Sequence, residues 1–514
     1  MTFLSRFLFA VLLFLAASAH AQRPSVVTPE EPVKLVKSML KIPAHFANPM
    51  EFTPEVWLPE GFKAEMFAER TTDGYPYCRF LALDSNNVVH LAQHVIGKIY
   101  ALIDSNKDGV CDEQRAVTPK MDSVHAMAFY KGALYATTPT KIIKCTDSDG
   151  DGFYETLNDF ITDLPEPSWI NHHSRTTVFD EQKGKLYLGV GSLCDACRDP
   201  RPDHATILEF NDDGTGRRIF ATGMRSTLGL AINPWSRELW GTSSGANQMG
   251  PQMPEELVTV LKDGGFYGYP FAMGNREFIP FERAAEYQSM FPITSTDSER
   301  VRTMELPNFW LPAHATPAQI HFYRGTSFPS EYHKSGFVCV KGSWSARPAR
   351  GYKVMRFWQE NGEWKIGDFF TGFMVDTALY DYWARPIGAV EDREGNMYFS
   401  FEGTLNSVIR VSYVGTDDVV TSASIAPSVS IYPQPVANDV TLRVTGFASV
   451  TDRYDVELMD ISGKHVMSVA SIRAVRSGDA IELKLDLRDV PSGRYVAMIT
   501  GESERISAPV VVVR

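Results

Sequence analysis

A chain of 514 residues, 44% hydrophobic and 12% aromatic, is long enough for one large core and a second, smaller one. Its 50 Lys and Arg fall short of its 62 Asp and Glu. The resulting net charge of -12 excludes nucleic acid as a partner, because phosphate must be met by a basic footprint.

The chain begins with Arg6, an apolar run over 7–17 and the small-x-small triplet Ala19-His20-Ala21, the pattern of a secretory signal peptide spanning 1–21 and cut after Ala21. No later stretch holds the ~20 consecutive apolar residues that would span a bilayer. Residues 22–54 read as an N-terminal extension. Between about residues 78 and 413 one unit recurs: an alternating apolar strand, a turn rich in Asp, Asn and Gly, and a second strand. Six copies are visible, as RFLALDSNNVVHLA, HAMAFYKGALYAT, TTVFDEQKGKLYLGV, LGLAINPWSRELWGT, a diverged copy at SGFVCVKGSW, and IGAVEDREGNMYFSF. Period-two alternation with hairpin turns, returning every ~40 to 60 residues, is the mark of propeller blades. The expected fold is therefore all-β, a six-bladed β-propeller over 55–414 whose inter-blade loops converge on one end of a central channel. Residues 253–312, rich in Pro, Met and aromatic residues and without clear period, read as an insertion covering one face.

The segment 415–430, GTDDVVTSASIAPSVS, is a small-residue linker, and the strands VTLRV, YDVELMD, IELKLDL, RYVAMIT and APVVVVR predict a small C-terminal β-sandwich over 431–514.

Among polar motifs, two loops space oxygens for a hard cation before a glycine: Asp104, Asn106 and Asp108 in DSNKDG, and Asp147, Asp149 and Asp151 in DSDGDG. Neither supplies the glutamate of an EF-hand at position twelve, so a surface calcium and a plain Asp/Asn turn fit equally. Of six cysteines, only Cys194 and Cys197 are close. Their CDAC spacing suits a disulfide, a metal half-site or a redox pair. No second CxxC completes a zinc site, and Arg198 stands where c-type haem attachment needs His, so a loop-stapling disulfide is expected. Adjacent His172 and His173 precede a strand; on extended chain only one of them can face the channel, and a near-neutral imidazole is suited to accept a proton.

The tail resembles the C-terminal sorting domain of the Bacteroidetes type IX secretion system, through IYPQPVANDVTLRV, ELMDISGKHV, LDLRDVPSGRYVAMI and APVVVVR. Tyr432-Pro433-Gln434-Pro435 departs from the usual Tyr-Pro-Asn-Pro at one residue. The resemblance implies recognition by the type IX machinery, a secreted or cell-surface location, and removal of the domain; an immunoglobulin-like carbohydrate-binding module is the alternative.

Between about residues 55 and 413 the motifs NHHSRTTVF, KLYLGVGSLCDAC, ATGMRSTLGLAINP, GPQMPEEL, LKDGGFYGYP, LPAHATPAQIHFYRGTSFP, KGSWSARPARGYKV and ARPIGAV occur in the order of the glucose/sorbosone dehydrogenase family, which the chain resembles. That family consists of six-bladed propellers using pyrroloquinoline quinone (PQQ) and calcium. The resemblance implies that His172 takes a hydroxyl proton as hydride passes to the quinone, with His173 and Ser174 following in register. It implies that Arg225 contacts the cofactor and stabilises charge, that Gly250 and Pro251 offer carbonyls to calcium, and that Arg385, Lys341 and Arg350 cradle the PQQ carboxylates. Three positions depart from the pattern. Ser192 replaces the aspartate that orients the base, Ser226 replaces an asparagine after the arginine, and KGSWSA replaces His-Gly-Ser-Trp-Asn-Arg. The expected function is an exported PQQ- and calcium-dependent dehydrogenase oxidising a sugar or a related alcohol or aldehyde. The alternatives are a non-catalytic glycan- or protein-binding propeller and a calcium-dependent lactonase-type hydrolase, which would need carboxylates around the axis.

Overall fold

The computed structural model describes residues 26–46, 53–69, 78–167, 172, 175–344, 346–415, 428–445, 453–460, 464–477, 480–500 and 505–513. The signal peptide, His173, Ser174 and most of the linker lie outside these residues.

Each hairpin repeat is the inner half of a four-stranded antiparallel sheet, with the diverged fifth copy supplying an inner strand of its blade. The blades begin with Cys78–Leu83 and Val89–Gln93 (blade 1), Ala126–Tyr130 and Ala133–Thr137 (2), Arg175–Asp180 and Lys185–Val190 (3), Leu230–Ile232 and Leu239–Ser243 (4), Pro317–Phe322 and Gly336–Val340 (5), and Arg385–Glu391 and Met397–Glu402 (6). The alternation that predicted these strands becomes burial on both faces, because each sheet packs against two neighbours: Leu186, Leu188 and Val190 face blade 2 residues such as Tyr135 and Ile142, while Tyr187 faces blade 4 residues. The first strand of every blade lies against that of the next, and blade 6 returns to blade 1.

Closure comes from a strand that precedes blade 1. Phe62–Ala68 pairs antiparallel with Val408–Tyr413 as the outermost strand of blade 6, Phe62 opposite Tyr413 and Ala68 opposite Val408. Two distant parts of the chain thus complete one sheet, which leaves the ring no open first blade. Phe62 anchors the closure edge-on against Phe328, Tyr332 and Phe369.

The expected insertion is shorter than its sequence pattern. Glu256–Val260 and Phe309–Leu311 are the third and fourth strands of blade 4. Only the chain between them leaves the sheet, carrying the hairpin Ala272–Met273 with Glu277–Phe278 and the helix Ser295–Arg302. That helix starts on a reciprocal capping box between Thr294 and Asp297. Eight residues are too few for a helical period to show in the sequence.

The chain divides into two compact units, Met1–Tyr413 and Val414–Arg514. In the second, Ser428–Tyr432, Asp439–Thr445, Ala480–Asp486 and Val475–Ser477 form one sheet. His465–Arg473, Arg453–Asp460, Gly493–Thr500 and Arg505–Val512 form the other. Alternate residues such as Val440, Leu442, Leu483 and Leu485 meet Val456, Leu458, Ala497 and Ile499 in a shared core, as a sandwich requires.

Candidate active-site cavity

Where the first strands begin and the second strands end, the six blades surround a cavity of about 470 Å³, within the range of sites for drug-sized ligands. Its lining follows from that geometry. Arg79, His125, Thr316 and Arg385 stand at or just before first strands; His94, Ser244 and Lys341 directly follow second strands. Of the residues singled out from sequence, His172, Arg225, Ser226, Lys341 and Arg385 line it.

His172 is held there by three local devices. Its backbone is left-handed, at φ 53°, a conformation unusual for a residue with a side chain. The guanidinium of the fully buried Arg175 pins it by donating from Nη1 to the His172 carbonyl at 2.7 Å and from Nη2 to that of Pro165 at 2.8 Å. Burial pulls the Arg175 pKa down to about 10, which leaves it charged at neutral pH. Gly191 supplies the space: a Cβ there would lie 2.5 Å from the His172 Cβ. The imidazole Nδ1 sits 2.8 Å from the Ser192 carbonyl oxygen and 2.9 Å from the Ser192 hydroxyl. A carbonyl can only accept, and the hydroxyl donates to the Cys194 carbonyl at 2.8 Å. The proton of the neutral ring is therefore assigned to Nδ1 and the lone pair to Nε2. At Ser192, where the resemblance implied an aspartate, the main-chain carbonyl of the residue itself bonds the ring.

Arg225 is buried and almost fully engaged. Its Nε donates to the Asp195 carbonyl at 2.7 Å, Nη2 to Asp195 Oδ1 at 2.7 Å and Nη1 to the Gly245 carbonyl at 2.6 Å. Asp195 also accepts from the amides of Asn247 and Gln248 and from the Tyr287 hydroxyl. This aspartate lies with Ala196 between the two cysteines of CDAC, and Cys194 and Cys197 form a disulfide. The staple thus has a definite consequence: it shapes the loop that presents Asp195 to Arg225 and to the chain approaching Gly250. The other four cysteines are buried and free.

The opposite wall is cationic. Lys341, Arg79 and Arg385 converge on the buried Glu402, at 2.7, 3.3 and 3.4 Å. Burial alone would raise the Glu402 carboxyl, but the three cations outweigh it and hold it at about 2. Burial pulls Lys341 down to about 8, against the attraction of Glu402 and with the repulsion of the two arginines. At pH 7 the group therefore carries about two net positive charges in a partly desolvated wall, a set of donors suited to a polycarboxylate. Glu256, fully buried in blade 4, is the cavity's one carboxylate among the described residues; burial pushes it up to about 8, with the Thr316 amide the largest opposing pull.

The remaining candidates are placed elsewhere. Arg350 bonds Gln252 through Nη2 at 2.9 Å and does not line the cavity. Gly250 reaches it indirectly, its carbonyl accepting from Nε2 of the lining residue His314 at 2.9 Å, while Pro251 is exposed. Neither acidic loop is part of the cavity. Asp104 accepts from the amides of Asp108 and Gly109, Asn106 from that of Asp108, and Asp108 from that of Val110. Asp147 accepts from Gly150 and Gly152, with Asp149 and Asp151 bonding the following turn. Only the second loop brings three carboxylates within 4.8 Å of one another, and these are exposed or half-exposed.

Sequence reasoning missed Arg79, Asp195, Glu256, His94, His125, His314 and Glu402. A signal existed for Arg79: arginine stands near the head of three first strands, at positions 79, 175 and 385. For Glu402 there was none, since its partners come from blades 1, 5 and 6.

The TrAA12-like family profile matches residues 57–409, and the secretion system C-terminal sorting domain matches 430–513. An uncharacterised protein of Borreliella burgdorferi is 23% identical over 376 residues, covering 71% of this chain and 92% of that protein. The aldose sugar dehydrogenase YliI of Escherichia coli is 26% identical over 191 residues, 33% of this chain and 46% of the enzyme. Among solved structures, a Trichoderma reesei enzyme of carbohydrate-active family AA12 aligns with a TM-score of 0.59 and 16% identity over 72% of this chain and 100% of its own. The PQQ domain of a Coprinopsis cinerea pyranose dehydrogenase, in its holo form, aligns with a TM-score of 0.57 and 17% identity over 73% and 100%. These likenesses establish the propeller fold. The sorting domain establishes export through type IX secretion to the cell surface or beyond.

Proposed function

The chain belongs to the TrAA12-like family, and from that premise we propose that it is a secreted PQQ- and calcium-dependent dehydrogenase that oxidises the hydroxyl of a sugar or a related alcohol. The observation that carries the reading is the His172 tautomer: Nδ1–H bonded to the Ser192 carbonyl leaves Nε2 as the basic atom in a cavity whose far wall is cationic. The residues present fit the cofactor. Arg79, Lys341 and Arg385, in excess over Glu402, would hold the PQQ carboxylates, and the Gly250 carbonyl is an oxygen ligand of the type calcium takes. The chemistry PQQ supplies when bound is two-electron oxidation, with calcium polarising its carbonyls. What the chain itself does is take the substrate hydroxyl proton at Nε2 of His172 and hold that ring through Arg175, Gly191 and Ser192. Arg225, oriented by Asp195, presents a fixed positive charge to the cavity, where developing negative charge would be stabilised.

A lactonase-type hydrolase would gather several carboxylates around the axis; among the described residues the lining contains Glu256 alone. The test is reconstitution with PQQ and calcium, followed by the His172→Ala variant. The wild type should take up the cofactor and turn over sugars. The variant should bind PQQ and lose turnover by about 100-fold or more, the usual contribution of a general base. Equal turnover in both proteins would refute His172 as base, and a wild type that binds sugars but never PQQ would favour a glycan-binding propeller.

A further inference from the structure

Trp344 lines the cavity, yet 66% of it is exposed. Ser343, directly before it, and Ala346, two residues on, are by contrast fully buried. The Ser343 amide donates to the Arg350 carbonyl at 2.9 Å, the Arg350 amide returns to the Ser343 hydroxyl at 3.1 Å, and the Tyr352 hydroxyl donates to the Ser343 carbonyl. Beneath them, Gly342 at φ 101° lies so close to the Tyr352 ring that a Cβ would come within 2.4 Å of it. Arg385 donates to the carbonyls of Lys341 and Gly342. The chain is thus bonded in place at Lys341–Ser343, before the indole, and again at Arg350. An indole held out into water leaves a large apolar surface unburied and open to the apolar face of a ligand.

A second apolar element is tied to the same loop. The hairpin Met374–Asp376 with Asp381–Tyr382 receives the Ala349 amide at the Thr377 carbonyl, 2.8 Å away, and the Arg347 guanidinium lies 5.3 Å from the Tyr380 ring centre. Its tip exposes Val375 and Leu379, at 58% and 74%. The cavity that Trp344 lines is largely polar and cationic, whereas the indole and these two side chains are apolar. A pyranose offers a matching surface: a face of C–H groups to lie on an indole, and edge hydroxyls that Arg350 and Gln252 beside the loop can bond.

We propose that Trp344 is the platform of an outer sugar subsite, so that the favoured substrate is a disaccharide or longer glycoside whose terminal ring enters the cavity while the next ring lies on the indole. This rests on the reading of the cavity as a sugar-oxidising site. The test measures binding of a panel of α- and β-linked disaccharides and their constituent monosaccharides to the full chain, both cofactor-free and reconstituted with PQQ and calcium, by calorimetry. At least one disaccharide should bind about ten-fold more tightly than its monosaccharides, as one ring stacked on an aromatic allows. Trp344→Ala should remove that advantage and Trp344→Phe should restore most of it. No disaccharide advantage in the wild type, or an advantage that survives Trp344→Ala, overturns the proposal. A wild type that binds disaccharides through Trp344 but takes up no PQQ supports the subsite and refutes the dehydrogenase reading. Turnover of monosaccharides without a disaccharide advantage does the reverse.

Discussion

Glu402→Gln is the sharpest probe of the cationic wall. The carboxylate is buried, at 3% exposure, and holds Lys341, Arg79 and Arg385 together. Its pKa, held at about 2 from an ordinary 4.5, corresponds at about 1.4 kcal/mol per tenfold to a contribution of roughly 3 kcal/mol. Because the folded value is depressed, this contribution is present above pH 4.5 and is lost as the pH falls from there toward 2. Lys341 behaves oppositely. Its folded pKa of about 8 lies below the ordinary 10.5, so stability rises as the pH climbs between these values and the unfolded chain holds the extra proton. Without Glu402 the lysine loses its main attraction and deprotonates at still lower pH. The variant therefore begins to recover stability before the wild type does. The expected result in urea unfolding is a deficit of about 3 kcal/mol near pH 6, within the range for breaking a buried ion cluster, that narrows between pH 6 and 8 and then levels. A glutamine variant as stable as the wild type at pH 6, or a deficit that does not narrow toward pH 8, would refute this account of the wall.

Asp195→Ala removes the carboxylate from Arg225, from the amides of Asn247 and Gln248 and from the Tyr287 hydroxyl. Denaturant unfolding should show a loss of about 3–5 kcal/mol, the cost of leaving a buried charge unpaired, and a loss below 1 kcal/mol would show that Arg225 finds another anchor. Mass spectrometry of the protein released by its native host should find a C-terminus between residues 414 and 432, as expected if the sorting domain is removed on export. A released product ending at Arg514 would refute that processing.

Side-chain alternation and turn chemistry are local properties, so the sequence by itself determined the strands and the hairpins. Because the hairpins recur six times, it also determined the number of blades. The family resemblance singled out His172, Arg225, Lys341 and Arg385, and the fold brings these four to one cavity. The sequence foresaw the Cys194–Cys197 disulfide from spacing and compartment, but not what the loop does, since Asp195 meets Arg225 thirty residues on only after blades 3 and 4 pack. DSNKDG and DSDGDG fit an ion site and a turn equally for a physical reason: the same oxygens that would ligate calcium accept the loops' own amides. Ser192 looked like a loss because side chains are what a sequence displays, whereas the group that orients His172 is a carbonyl every residue has. The tertiary structure alone decided the closure of the ring, by pairing Phe62–Ala68 with Val408–Tyr413. It also decided the charge of the wall, which exists because that closure brings Arg79 of the first blade against Glu402 of the last.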